Sequence, residues 1–432
     1  MQNLALVQSI NNLRKVGGSA LSQYYIQALL VGGGGAGGNN LGGGGGAGGY
    51  LNTYSPLFST VAYPIVVGNG ATPSVSATSS TFESKVALPG GQGASGDTGS
   101  YDILLTGSAT GGGDGACGGG GTGVSGGYQA IGFQGKNRGN GYWQGLAYQV
   151  SAGGGGGAYA TGQNGLNLAS GGGGDGLTWY DGNNYCGGGG GGGSLDYSIV
   201  IGPGATNYGG GNGGAEFEGS GDSALNNTGG GGGGGPYTGG GGVGGSGIVV
   251  IRYRGPQRGT GGTVISSVPI TSLTHSGTQA TAMSSINTGF STSDLITISG
   301  ATPSAYNGTF SILVVDGKTF QYTMLSTPAS NATGTITAVS KYTTLVSLTH
   351  SGTTAIATTT QNYEFQNGDS VTISGATPSE YNGTFVIQNT SKNTFTYTMA
   401  SDPGSDATGT IRATNGNGYV MHYFYSSGTY TA

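Results

Sequence analysis

Ionisable side chains are scarce in this chain. Asp, Glu, Lys and Arg make up 7% of its 432 residues, against about 25% in ordinary soluble domains. It holds three His and two Cys. Acid–base, nucleophilic and metal chemistry draw on those residue types, so the composition argues against most enzymes, and no cofactor or metal is expected. Two Cys do not make a disulfide framework. Cys117 and Cys186 both adjoin glycine runs and are read as free thiols, with a bond between them left open. With 12 basic and 17 acidic residues the net charge is −5, which leaves no footprint for nucleic acid. No run of 18 apolar residues occurs, so no membrane-spanning helix is expected. Arg14 and Lys15 follow the first apolar positions instead of preceding them, unlike a secretory leader.

What the chain has in excess is glycine. Of its 101 Gly, 82 fall in residues 1–250 and 19 in the remainder, with the break near Arg254-Gly255-Pro256. Ten runs hold three or more in a row, the longest being Gly187–Gly193 and Gly229–Gly235. Collagen would place Gly at every third position only. A flexible linker would lack the β-branched and aromatic segments that lie between the runs: Tyr24–Val31, Ala62–Val67, Val86–Leu88, Ile103–Leu105, Tyr197–Ile201 and Ile248–Tyr253. Ordered polyglycine adopts an extended threefold helix without internal hydrogen bonds, rising about 3.1 Å per residue. Such helices pack side by side and bond laterally, so residues 24–254 are expected to form a polyglycine and β-sheet body.

The order of these motifs resembles a known family. LLVGGGGAGG (Leu29–Gly38), GGGGGAGGYL (Gly42–Leu51), PIVVGNG (Pro64–Gly70) and the closing GGGGVGGSGIVVIRY (Gly239–Tyr253) are similar to the glycine-rich domain of bacteriophage tail fibres and tail-tip adhesins. The resemblance implies a sandwich of polyglycine helices whose connecting loops contact a receptor. It also implies a virion location after synthesis in the host cytoplasm. The family places a strand like F-x-S-S-G-T-Y-T ahead of its opening strand, and residues 17–23 (GGSALSQ) do not match it.

Residues 272–338 and 347–413 align without gaps at an offset of 75, with 40 of 67 positions identical. SLTHSGT, ISGATPS and YNGTF recur in both, so this is one unit duplicated. Each unit is expected to be a small all-β sandwich or barrel, with Leu295–Ser299 and Val371–Ser374 alternating for one buried face and Tyr306-Asn307-Gly308 turning a hairpin. The units resemble repeats of phage structural proteins. His275 and His350 occupy equivalent positions, which duplication explains without a ligand.

The chain is mostly β and divides into a short N-terminal helix with connector (1–23), a glycine-rich domain (24–254), a linker (255–269), two β-repeats (270–340 and 341–413) and an aromatic strand (414–432). The helix rests on Leu6, Ile10 and Leu13 at helical spacing, ended by Gly17-Gly18. Alone it is marginal, so it is expected to dock, for instance on other virion proteins.

Two aromatic loops are the candidate receptor sites. The first carries Tyr128, Phe133, Tyr142, Trp143 and Tyr148, and the second Trp179, Tyr180 and Tyr185. Flat rings supply contact area at low entropy cost, and a host-surface glycan or outer-membrane protein is the expected partner. The alternative is that these rings plug the ends of a slab with no other core. A homo-oligomer is also expected of fibres. Purely architectural virion roles and a polyglycine surface- or ice-binding role stand as alternatives. The tail, Tyr423–Thr431 (YFYSSGTYT), supplies the strand missing before Tyr24. It either pairs beside Tyr24–Val31 or packs on the second repeat.

Overall fold

A computed structural model describes residues 23–96, 117–121, 134–140, 142–143, 150–166, 169–193, 200–215, 219–360 and 365–432. The expected N-terminal helix and the strands at Ile103–Leu105 and most of Tyr197–Ile201 lie outside the described residues.

The chain is mostly β. Its main sheet has five strands in the order Thr263–Ile265, Tyr419–Phe424, Ile248–Arg254, Gln23–Val31, Tyr50–Phe58. IVVIRYR (Ile248–Arg254) is buried at every position, as expected of a central strand covered on both faces. Tyr50–Phe58 was not expected from the sequence. Its Pro56 is tolerated because the strand is an edge. A second sheet orders Gly428–Thr431, Ala62–Val66, Ser80–Phe82 and Lys85–Ala87. Tyr24, Ile26, Leu57, Phe82, Val249, Phe424 and Tyr430 form one core between the two sheets. On the other face of the main sheet, Leu29, Val31, Ile248 and Val250 pack with Trp179, Tyr185 and both cysteines.

Among the described residues the glycine runs carry no ladder; they bond sideways with a period of three. In residues 42–49, the N–H groups of Gly42, Gly45 and Gly48 donate to Gly235, Gly232 and Gly229. Those of Gly43, Gly46 and Gly49 donate to Ala94, Gly91 and Leu88, and those of Gly44 and Ala47 to Gly153 and Gly156. The carbonyls of Gly43, Gly46 and Gly49 accept from Gly38, Gly35 and Gly32, those of Gly42 and Gly45 from Gly192 and Gly189, and that of Gly44 from Gly120. One segment therefore touches six others, three through its donors and three through its acceptors. A threefold helix points successive peptide groups about 120° apart, which is the condition for six-neighbour packing. Every N–H of residues 42–49 is satisfied by a neighbouring segment, as burial demands.

The two repeats share their internal contacts at the offset of 75. Tyr306 Oη donates to Ser330 O at 3.0 Å and Tyr381 Oη to Ser405 O at 2.9 Å. Phe310 stacks on Tyr322 with ring centroids 4.5 Å apart, and Phe385 on Tyr397 at 4.3 Å. His275 and His350 stand edge-on to Tyr306 and Tyr381. Tyr306 ends a 3-10 turn, Ser304–Tyr306, and the hairpin loop spans 300–307 instead of two residues. The Asn307 amide bridges both backbone groups of Ala301 across that loop. The first repeat closes as a six-stranded barrel, while the second stays an open six-stranded sheet.

Candidate functional site

The direction of each glycine segment fixes which loops stand together. Residues 42–49 descend toward the main sheet, since they run straight into Tyr50–Phe58. Residues 153–157 run parallel to them, because Gly44 bonds Gly153 and Ala47 bonds Gly156. Residues 171–174 descend too, because Gly171 donates to Ala152 and Gly174 to Gly155. The hairpin that precedes 153–157 (Tyr142–Trp143 paired with Val150–Ser151) is therefore at the end far from the sheet. The hairpin that follows 171–174 (Leu177–Thr178 paired with Asn184–Tyr185) is at the sheet end. The reversals at 39–41, 166–169 and 236–238 share the far end by the same reasoning.

The two aromatic loops thus have opposite placements. Trp179 and Tyr185 are 5% and 2% exposed, inside the core beneath the main sheet. They do not face outward, a correction to the expectation of exposed rings. The cause is Asp181, itself buried. Its carboxylate accepts from Tyr185 Oη at 2.7 Å, from Tyr423 Oη at 3.2 Å and from Asn183 Nδ2 at 2.9 Å. That network folds the hairpin onto the tail strand. Burial, together with the Asp181 charge, raises the phenol pKa of Tyr185 and Tyr423. Of the three rings of this loop, Tyr180 alone is exposed, at 37%. Tyr142 and Trp143 lie on the far hairpin; Tyr128, Phe133 and Tyr148 are outside the described residues.

The tail returns to the glycine-rich body. Tyr419–Phe424 pairs antiparallel with Ile248–Arg254 (Arg254↔Tyr419 to Val249↔Phe424), and Gly428–Thr431 pairs with Ala62–Val66. It therefore does not lie directly beside Tyr24–Val31: Ile248–Arg254 takes that place, because it pairs with Gln23–Val31 through Ala28↔Ile251 and its neighbours. The tail still reaches the opening strand through side chains, with Tyr24 Oη and Tyr430 Oη 2.7 Å apart. Burial pushes Tyr24 up to about 12.

The repeats are fastened where they leave and rejoin this sheet. Arg254 donates through Nη1 to Lys341 O at 2.9 Å and Asn417 O at 3.0 Å, tying the inter-repeat link to the returning chain. Asn287 of the first repeat donates to Gly182 O at 3.0 Å. The backbone N–H of Tyr25 donates to Gln366 Oε1 of the second repeat at 2.9 Å. Arg258 and Asp369 approach to 3.6 Å. None of Asp181, Arg254 or Gln366 carries a sequence signal; each becomes visible only when distant segments are brought together.

His422, on the tail strand, has no exposed surface. Its Nδ1 lies 2.9 Å from Gly261 O, and its Nε2 3.2 Å from Tyr253 Oη. Those partners suit a neutral ring with Nδ1–H donating and Nε2 accepting. Burial lowers its pKa below the ordinary 6.5. The folded state therefore binds this proton less readily than the unfolded chain. The resulting stability is full above the unfolded pKa and is lost as pH falls through the folded one. The melting temperature of the body is expected to decline below about pH 6.5, and His422→Gln should flatten that slope. A melting series from pH 8 to 4.5 checks it, and an unchanged slope in the variant would refute the assignment.

Both cysteines are free and buried. Burial pushes the Cys117 thiol up to about 12 and raises Cys186 as well. Neither is a nucleophile in the folded chain.

Fold and contacts define a glycine-lattice β protein with two β-modules inserted before its last strands. A family model described as a glycine-rich domain matches residues 19–254, more than half of the chain, and the chain belongs to that family. No curated protein and no solved structure matches it.

Proposed function

We propose that this chain is a non-catalytic component of a bacteriophage particle, an adhesin or fibre protein that holds loops toward a host surface. The glycine segments are read as polyglycine-II helices, and their lattice serves as a stiff display body. The observation that carries this reading is the polarity of the lattice. The five-stranded and four-stranded sheets and the repeats gather at one end, and the hairpin of Tyr142 and Trp143 stands with several other reversals at the opposite end. A one-ended display suits attachment: one end is built into the assembly and the other meets the target. Residues 1–23 are the proposed contact to other virion proteins, a host glycan or outer-membrane protein the proposed target, and self-association the proposed route to a fibre.

A purely architectural role is the second reading, favoured by the inward placement of Trp179 and Tyr185. Adsorption competition separates the two. Purified protein added to host cells is expected to block adsorption of the particle. Trp143→Ala should weaken that block by about tenfold or more, as loss of an aromatic hot spot does, with little change in melting temperature. Wild-type protein that never competes, together with antibody labelling of the head or collar, would favour the architectural role.

A further inference from the structure

A cleft of about 570 Å³ lies between the sheet end of the glycine-rich body and the two repeats. Its volume is in the range of small-molecule sites, about 300–1,000 Å³. Arg252, Arg254 and Arg412 line it together with Asp294. Three of the chain's 12 basic residues thus meet one carboxylate in a protein of net charge −5. Tyr180, whose ring centroid lies 4.9 Å from Arg252 Cζ, and Tyr342 also line it, and ten of the lining residues are Ser or Thr.

Two of the guanidinium groups are held in advance. The Arg252 and Arg254 Cζ atoms stand 3.5 Å and 4.4 Å from the centroid of the Tyr419 ring. Arg252 Nη1 also donates to Gln27 Oε1 at 3.0 Å. Both side chains are nearly closed off from solvent, so little ordering remains to be done on binding. Arg412 is half-buried on the second repeat. The equivalent position of the first repeat is Thr337, so this charge is a departure from the duplicated pattern.

We propose that this cleft binds an anionic sugar. Guanidinium groups recognise carboxylate and phosphate by paired hydrogen bonds. The exposed Tyr180 ring matches the C–H face of a pyranose, and the hydroxyl-rich wall matches its hydroxyls. A simple inorganic anion would leave the ring and most of the wall unused. The proposal goes beyond the attachment reading, which places the host target at the opposite end of the lattice; binding is measured on the purified chain, away from any particle, so each can fail alone.

Calorimetric titration tests it with four probes: glucuronic acid, glucose 6-phosphate, glucose and inorganic phosphate. At least one of the two acidic sugars is expected to bind saturably, with glucose and inorganic phosphate each at least tenfold weaker. The carboxylate and phosphate arms identify which acid the cleft prefers. Arg412→Gln should cost tenfold or more and Tyr180→Ala several-fold, each with an unchanged melting temperature. If Arg412→Gln lowers the melting temperature, Tyr180→Ala alone decides. No saturable binding by either acidic sugar overturns the proposal. So does inorganic phosphate binding as tightly as the sugars, or affinity unaltered in the folded variants.

Discussion

Gly45→Ala is expected to unfold the glycine-rich body, while Gly240→Ala leaves it standing. A Cβ on Gly45 would lie 2.1 Å from Gly35 O and 2.7 Å from its carbonyl carbon, both backbone, where real Cβ atoms do not come within 3.0 Å. The obstacle cannot rotate away as a side chain would, because Gly35 and Gly45 belong to segments bonded on all sides. Overpacking a core ordinarily costs about 1–3 kcal/mol, and more where the neighbour cannot yield. A methyl here separates two helices along their whole contact, so the expected cost lies at or above the top of that range. At Gly240 an added Cβ meets only Ser220 Oγ at 3.5 Å and Asn39 Oδ1 at 3.7 Å, ordinary contacts. There alanine also narrows the unfolded ensemble, a gain of about 0.4–1 kcal/mol. Calorimetry of the two variants beside the parent decides; equal melting of Gly45→Ala and parent would refute the lattice as drawn.

Deleting residues 419–432 is expected to abolish the melting transition of the body and to leave that of the repeats in place. The deletion removes a strand from the interior of the main sheet and an edge strand from the second. Val420, Tyr423, Phe424 and Tyr430 are each at most 6% exposed. At about 1.5–3 kcal/mol per buried side chain, their loss is roughly 6–12 kcal/mol, as large as the whole stability of a typical domain, about 5–15 kcal/mol. A synthetic peptide of the same residues should restore part of the signal by strand addition. If the repeats lose stability and the body does not, the pairing is wrong.

Much of the architecture was legible because it depends on local pattern. LITIS of Leu295–Ser299 alternates buried and outward residues as its sequence suggests. The runs of glycine announced close backbone approach, since only a residue without Cβ permits it. YFYSSGTYT, read as one strand, is strand-forming at both ends but breaks at 425–427, so that Tyr419–Phe424 and Gly428–Thr431 enter different sheets. Its partner was harder: both Gln23–Val31 and Ile248–Arg254 offered an apolar edge, and only their mutual pairing leaves Ile248–Arg254 as the strand the tail can reach. The candidate site was less legible. Trp143 and Trp179 sit in similar aromatic loops, and what separates them is whether an even or odd number of lattice segments has passed before each. No residue beside either Trp records that count. Asp181 reads as a solvated turn residue until Tyr423, 242 positions away, donates to it. Arg252 and Arg254 read as the polar end of a strand, and their common cleft exists only once both repeats are in place.

The position of the repeats has a consequence for biosynthesis. Between Arg254 and its sheet neighbour Tyr419 lie 164 residues. At about 5–20 residues per second, a ribosome needs about 8–30 s to traverse them. For that interval Ile248–Arg254 waits with one edge unpaired. The repeats, whose partner strands all lie within single units, emerge and fold during the wait. The glycine-rich body, first to be translated, is the last to close. A crowded polysome would then offer each waiting edge the finished tail of a neighbouring chain, so the fidelity of closure depends on how far apart the nascent chains are held.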